Sequence, residues 1–197
     1  CKFFQTEVTF LGHQVSAQGI KPDTSKYEAI KNYPTPKNAD DVRRFVAFCN
    51  YYRRFVPNFA NIALPLNKLL RKKVKFEWTE AQQQAFEKLK STLMSPIILQ
   101  YPNFNNQFIV STDASSAACG AVLSQKFEDQ DLPIAYASRT FTPGEKNKSV
   151  IEKELAAIHW AIQHFRPYLY GRKFVVRTDH RPLTYLFAMK NPSSKLT

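Results

Sequence analysis

The stretch at residues 108–125, FIVSTDASSAACGAVLSQ, constrains the fold of this chain more than any other. Apolar and small polar residues alternate on both sides of a short run of Ala, Ser, Cys and Gly. This alternation predicts two antiparallel β-strands joined by a tight connection. In the first strand, Asp113 shares a face with Ile109 and Ser111 and lies at the strand end. A lone Asp there usually starts a turn. A carboxylate beside apolar residues is costly unless it is paired, so Asp113 is also a candidate ligand.

Residues 149–165, SVIEKELAAIHWAIQHF, predict an amphipathic helix, because large apolar residues recur on one narrow arc. We expect Glu154 at the edge of this arc, facing the core. Glu152 has a structural explanation, since Ser149 and Glu152 have the spacing of a capping box. The apolar residues on the arc are Ile151, Leu155, Ile158, Ile162 and Phe165.

Residues 173–179, KFVVRTD, predict a further strand that ends in Asp179, after which a new helix can begin near Pro182. The chain thus contains, in order, a strand-end Asp, a helical Glu and a strand-end Asp. Carboxylates brought together repel one another unless a divalent cation neutralises them. The pattern therefore predicts a Mg²⁺ site, which suits a phosphodiester substrate. For His180 a turn residue is the simplest interpretation, and contact with the substrate is the alternative.

Two motifs, STDASSAACGAVLSQ and EKELAAIHWAIQHFRPYLYGRKFVVRTDHRPL, resemble the ribonuclease H domain of gypsy-type long-terminal-repeat retrotransposon Pol proteins. The resemblance implies that Asp113, Glu154 and Asp179 are catalytic and bind two Mg²⁺ ions, with Mn²⁺ as a substitute. The family pattern also has a fourth carboxylate, an Asp further downstream, which we do not find before Thr197. We therefore expect weak or absent cleavage of an RNA–DNA hybrid by this chain.

The amino-acid sequence upstream of these motifs supports the same resemblance. Residues 1–20 alternate around Gly12 and predict a β-hairpin, which resembles the end of a reverse transcriptase palm. Residues 21–95 predict proline-punctuated helices, and NYYRRFVPNF resembles the thumb that grips the template–primer duplex. Residues 96–107 predict a linker, and residues 108–197 a ribonuclease-H-like domain. The expected fold class is α+β: a helical thumb, then a mixed β-sheet with a packed helix, truncated at both ends.

The formal net charge is +12, and the region between Val42 and Phe76 holds nine basic residues and no acidic one. A surface of one sign favours contact with a phosphate backbone, whereas solvated faces usually mix signs. We therefore expect binding to an RNA–DNA hybrid or another duplex. On the helix predicted from Asn38 to Phe55 or Val56, Arg53 falls on the apolar side, so either the helix end is distorted or Arg53 snorkels. The nine residues are Arg43, Arg44, Arg53, Arg54, Lys68, Arg71, Lys72, Lys73 and Lys75.

Cysteine content, hydropathy and the resemblance indicate the compartment and the partners to expect for the chain. Cys1, Cys49 and Cys119 lack metal-ligand spacing, and their odd number argues against a disulfide framework, so a reducing, intracellular compartment is expected. No apolar run approaches the ~20 residues of a membrane span, so no membrane partner is expected. The resemblance implies the rest of the Pol polyprotein as a partner and a cytoplasmic virus-like particle, with the nucleus as a second location, and it leaves a dimer open. The palm motif Tyr-x-Asp-Asp does not occur. The competing hypothesis is a catalytically inert nucleic-acid-binding or structural fragment.

Overall fold

The computed structural model describes residues 4–94 and 98–184, so the parts of the predicted modules at 1–3, 95–97 and 185–197 lie outside the described residues. The chain opens with an antiparallel three-stranded sheet, β1 (Glu7–Phe10), β2 (His13–Ser16) and β3 (Gly19–Pro22). Leu11 and Gly12 both have positive φ, as a two-residue type I′ hairpin turn requires. The predicted hairpin is present, and β3 extends it as far as Pro22.

Five helices follow: α1 (Tyr27–Lys31), α2 (Ala39–Tyr51), α3 (Phe59–Ile62), α4 (Leu64–Leu69) and α5 (Glu80–Met94). Asn38 caps α2 as expected, its side-chain oxygen accepting from the Asp41 N–H at 2.9 Å. The helix ends earlier than predicted, at Tyr51, and a 3-10 turn covers Arg53–Phe55. Of the two alternatives offered for Arg53, the distorted helix end is thus observed. Fully buried members of the helical core include Ile30, Phe45, Phe55, Leu66, Phe86 and Leu89.

The second part of the chain is built on a mixed sheet of β4 (Phe108–Ala114), β5 (Ala118–Phe127), β6 (Gln130–Thr140) and β7 (Phe174–Thr178), in the order β6-β5-β4-β7. The pairs β4–β5 and β5–β6 are antiparallel, and β4–β7 is parallel. In the described part of the chain, the remaining helices are α6 (Pro143–Lys146), α7 (Val150–His164), α8 (Arg166–Leu169) and α9 (Arg181–Thr184). The predicted mixed α+β fold is confirmed.

Helix α7 lies on the sheet with a different face from the one that its large residues suggest. Its most buried positions are Glu154, Ala157 and Ala161, followed by Phe165 just beyond the helix. The aliphatic residues of the predicted arc are only half-buried: Ile151, Leu155, Ile158 and Ile162. Small alanine side chains allow the helix backbone to approach the apolar face of the strands closely. Glu154 therefore lies at the centre of the buried face, and its predicted position at the edge was wrong.

The helical part packs directly on the opposite face of this sheet. Arg53 donates a hydrogen bond to the Ser138 carbonyl on β6, and its guanidinium lies 5.5 Å from the centre of the Phe59 ring. The Ala60 N–H donates to the Ser138 hydroxyl at 2.9 Å. Tyr136 of β6 packs against the helical core. These contacts join the two parts into one packed structure.

The described part of the predicted linker is tied to both neighbours. The Leu99 N–H donates to the Ile20 carbonyl at 2.8 Å, and the Ile20 N–H donates back at 2.9 Å. One residue on, the Gln100 N–H donates to the Pro133 carbonyl of β6 at 2.8 Å. The segment therefore pairs with the N-terminal sheet on one side and with the mixed sheet on the other.

A bidentate ion pair joins β6 to α6. The Arg139 guanidinium donates to both Glu145 oxygens, at 2.7 and 2.8 Å, and also lies 5.7 Å from the centre of the Trp160 ring on α7. The Glu145 carboxylate accepts a further bond from the Thr142 N–H at 2.8 Å. Hydrogen bonds from Arg139 lower the pKa of Glu145 from 4.5 to about 2. The pair thus fixes the segment that leads into α7.

This pKa predicts a specific loss of stability in acid. A carboxyl with a lowered pKa stabilises the fold above pH 4.5, and the contribution disappears as the pH falls toward 2. Because the pair lies at a partly exposed surface, solvent screening reduces its contribution to stability, and we expect a loss of about 1 kcal/mol. We expect Glu145→Gln to remove this part of the pH dependence in urea unfolding between pH 2 and 6. Glu128→Gln, at an exposed turn, is the control, and an unchanged profile for Glu145→Gln would contradict the assignment.

Candidate metal centre

Three carboxylates meet where β4 and β7 end. These strands are parallel neighbours, with Thr112 opposite Thr178. Because parallel strands end at the same edge of a sheet, the residues that follow this pair, Asp113 and Asp179, lie side by side. Glu154 reaches the same edge from the buried face of α7. One oxygen from each of the three carboxylates lies within 4.8 Å of the other two.

The electrostatics of the cluster are unfavourable without a cation. Glu154 is 5% exposed, whereas Asp113 and Asp179 face solvent. Burial raises the pKa of Glu154, and the charges of Asp179 and Asp113 raise it further, while the Ala114 N–H opposes the shift. The Oε2 atom of Glu154 is buried and has no hydrogen-bond partner among the described residues. Such an atom is costly to bury, and a bound cation would satisfy it.

The donor set fits a small divalent cation. Three carboxylates offer oxygen ligands, which Mg²⁺ prefers, and leave room for the waters that it retains. Oxygen ligands lie about 2.1 Å from Mg²⁺, so ligands on opposite sides are about 4.2 Å apart. A separation of up to 4.8 Å requires only a slight contraction. Asp113, Glu154 and Asp179 could therefore hold the metal that the sequence predicts.

Glu152, two residues before Glu154, performs the structural role expected of it. Its carboxylate accepts from the Ser149 N–H at 2.9 Å, and its own N–H donates to the Ser149 hydroxyl at 3.3 Å. Both halves of the capping box are present. The sequence thus distinguishes the two glutamates of α7 correctly, because Glu152 caps the helix start and Glu154 lies in the carboxylate cluster.

His180 lies beside the cluster, and its positive charge would lower the pKa of Glu154. It is half-buried, and its Nε2 atom has no hydrogen-bond partner among the described residues. A substrate contact at His180 stays a prediction. Asn61 was not predicted from the sequence, and its side chain contacts Ser115 in the turn after Asp113. No local pattern could have revealed a pair of residues so far apart in the chain.

The nine predicted phosphate-binding residues divide into distinct environments. Arg43 and Arg44 are exposed but form ion pairs with Asp40 and Asp41, the acids just before the counted region. Arg53 is turned toward the sheet and bonds to β6, so it does not belong with the solvent-facing set. Arg54 is half-buried with its guanidinium 5.9 Å from the centre of the Phe55 ring.

The remaining five side chains are exposed, and within residues 4–94 and 98–184 none forms an ion pair. Lys68 lies in the last turn of α4, and the other four residues lie between α4 and α5, with Lys73 at a positive φ of 65°. Uncompensated cations on one short segment are the strongest candidates for phosphate contact. We call Lys68, Arg71, Lys72, Lys73 and Lys75 the basic segment.

The described residues include no helix with the length and hydropathy to cross a bilayer.

Comparisons with known proteins agree with this architecture. The sequence model of the ribonuclease H-like domain found in reverse transcriptase matches residues 78–176. The retrovirus-related Pol polyproteins from the Drosophila melanogaster transposons 412 and 297 are 62% and 45% identical over 197 residues, which cover all of this chain and 16% and 18% of the polyproteins. The Tf2-3 polyprotein of Schizosaccharomyces pombe is 38% identical over 186 residues, covering 93% of this chain and 14% of that protein. The chain thus spans a small part of the relatives it matches.

Two solved structures of a foamy viral protease–reverse transcriptase are also similar. The complex with an RNA/DNA hybrid has a TM-score of 0.77 and 25% identity, covering 98% of this chain and 27% of the viral one. The complex with double-stranded DNA has a TM-score of 0.79 and 25% identity, covering 96% and 40%. The chain therefore belongs to the family of the ribonuclease H-like domain found in reverse transcriptase.

Proposed function

We propose that this chain is part of a retrotransposon reverse transcriptase, in which it binds an RNA–DNA hybrid and hydrolyses the RNA strand with the help of divalent metal. The observation that carries this proposal is the convergence of Asp113, Glu154 and Asp179, together with the unpartnered oxygen of Glu154. A cluster of this kind is repelled internally and is favourable when a cation binds. The similarity to a reverse transcriptase bound to an RNA/DNA hybrid supports the choice of substrate.

The three carboxylates have different tasks in this proposal. Glu154 is buried, and helix α7 fixes its position against the sheet, so its carboxylate would hold the metal on the protein side. Asp113 and Asp179 are exposed, so they would hold the metal on the side that is open to the substrate. Two Mg²⁺ ions, when bound, would supply an activated water and stabilise the leaving 3′-oxygen. The protein contributes the rigid strand and helix positions that hold the carboxylates in place.

Substrate binding rests on charge. The net charge of +12 favours a polyanion, and the basic segment presents cations that no acid among the described residues neutralises. Phosphate contacts of this type supply sequence-independent affinity. This suits an enzyme that acts along a hybrid of any sequence.

Metal binding provides the direct test. We expect Mg²⁺ to produce saturable heat in calorimetry with the wild-type chain, and Asp113→Asn to weaken this binding at least about tenfold, because one ligand loses its charge. Asp129→Asn, in the exposed turn between β5 and β6, is the matched control. Equal binding by the two variants would place the metal elsewhere.

The competing hypothesis is an inert binding module. It predicts hybrid binding without saturable Mg²⁺ heat and without cleavage of a labelled hybrid. The calorimetric titration therefore separates the two hypotheses before any nuclease assay is made.

A further inference from the structure

The helical part of the chain reaches the turn that follows Asp113. Asn58, which has a left-handed backbone with φ of 52°, begins helix α3 beside the sheet. One helical turn later, the side-chain oxygen of Asn61 lies 2.9 Å from the hydroxyl of Ser115. Ser115 is two residues beyond Asp113, in the connection between β4 and β5.

Ser115 organises this connection. Its N–H donates to the Ala118 carbonyl at 2.8 Å, and its hydroxyl accepts from the N–H groups of Ala117 and Ala118 at 3.2 and 3.0 Å. The hydroxyl proton can be donated to Asn61 or to the Ala118 carbonyl, which lies 3.0 Å away. A hydroxyl has one proton to donate, so donation to the Asn61 side-chain oxygen fixes the orientation of the Ser115 hydroxyl. Hydrogen bonds of Ser115 with Ala117 and Ala118 thus close the turn, and Asn61 of the helical part orients the Ser115 hydroxyl.

The approach of the two parts depends on a glycine beside Asp113. Gly120 of β5 is the direct partner of Asp113 in the strand register. A β-carbon at Gly120 would overlap the Asn58 side-chain oxygen, so the absence of a side chain lets α3 come this close. The two parts enclose a cleft of about 180 Å³ lined by Asn58, Asp113, Gly120 and Tyr136. Contacts of α3 therefore reach the strand pair at the level of the metal centre.

We propose that Asn61 is a positioning residue for the metal centre, so that docking of the helical part sets the position of Asp113 through Ser115. This inference rests on the proposed function, because it assumes that Asp113 binds metal. Small displacements of a ligand are costly for a cation that demands near-ideal geometry. Partners that orient metal ligands typically contribute 10- to 100-fold to affinity. The consequence is that a helix in the nucleic-acid-binding part controls the metal affinity of the nuclease part.

The test compares Mn²⁺ binding, measured by electron paramagnetic resonance, among variants of the full chain. We expect Asn61→Leu, which removes the acceptor at similar size, to weaken Mn²⁺ binding about tenfold. It should also speed hydrogen exchange at the Ala117 and Ala118 amides. Asn61→Asp keeps an acceptor oxygen and should retain most of the affinity. Asn67→Leu, on the neighbouring helix α4, is the matched control and should change neither measurement.

A double-mutant cycle with Ser115→Ala isolates the contact. If Asn61 acts through Ser115, adding Asn61→Leu to Ser115→Ala should cause little further loss, whereas additive losses would overturn the proposed route. Wild-type affinity in Asn61→Leu would overturn this inference and leave the metal site intact. Absence of Mn²⁺ binding by the wild-type chain would overturn the proposed function, and this inference with it. Circular dichroism shows whether each variant is folded, and rescue by Asn61→Asp separates positioning from general destabilisation.

Discussion

In a polypeptide that extends this chain to include the downstream Asp of the family pattern, replacement of Glu154 by Gln will reduce hydrolysis of the RNA strand by at least about 10³-fold, while replacement of Glu152 by Gln will leave it nearly unchanged. Metal coordination is worth several kcal/mol in the transition state, and each 1.4 kcal/mol is tenfold in rate. In Glu154→Gln the amide would still fill the buried position but would lack the charge that holds the cation. In Glu152→Gln the side chain would keep the oxygen that accepts from Ser149 in the capping box. The assay is gel-resolved cleavage of a labelled hybrid in Mg²⁺ and in Mn²⁺.

Without metal, Glu154→Gln should have the opposite effect on stability from its effect on cleavage. The raised pKa of Glu154 means that the folded chain binds this proton more tightly than the unfolded chain does. The free energy of unfolding therefore falls as the pH rises from 4.5 through the raised pKa, and the loss persists at neutral pH. We expect Glu154→Gln to be more stable than wild type at pH 7 in a metal chelator and equally stable below pH 4.5. Added Mg²⁺ should reverse the order at pH 7, since it binds the folded wild type.

Glu152 supplies the control within the same helix. Substitutions at residues 152 and 154 remove the same charge from the same two turns, so a general effect of helix charge would appear in both variants. A larger loss of cleavage for Glu152→Gln would mean that α7 presents a different face to Asp113 and Asp179 than the structure shows.

The second large effect concerns binding of the hybrid. Changing Lys68, Arg71, Lys72 and Lys75 together to Ala will lower affinity by about 10²-fold or more at about 0.1 M salt. Each phosphate contact contributes about 0.9 to the slope of log affinity against log salt, so the slope should become shallower by about 3 to 4. Lys73 is left unchanged because its backbone has positive φ, where a substitution could disturb the loop. Fluorescence anisotropy of a labelled hybrid over a salt series measures both quantities.

A second fourfold variant separates local contact from total charge. Lys31, Lys88, Lys126 and Lys148 are exposed outside the basic segment, and changing them to Ala lowers the net charge by the same amount. If the basic segment contacts phosphate, this control should retain most of the salt slope. Equal losses in the two variants would show that overall charge, and not this segment, attracts the hybrid.

Local features of the fold follow from neighbouring residues and could be predicted from the sequence. The Ser149–Glu152 capping box, the Asn38 cap and the alternation that forms β4 and β5 each involve side chains and backbone groups within a few positions of one another. Interactions of this range depend on local geometry, which amino-acid type and spacing specify. The order of Asp113, Glu154 and Asp179 along strand, helix and strand was therefore visible before the structure was known.

Tertiary structure decided how these elements meet. Parallel pairing of β4 with β7 brings Asp113 beside Asp179, and the alanines of α7 place Glu154 at the centre of the buried face, although the isoleucine pattern had placed it at the edge. Arg53 donates to a carbonyl of β6 that is 85 positions away in the chain, and Asn61 contacts the hydroxyl of Ser115, which is 54 positions away. The periodicity of one helix predicts that it has an apolar side but not which partner it packs against. The packing partners depend on complementary shape and on hydrogen bonds between distant segments. These contacts exist only once the chain has folded.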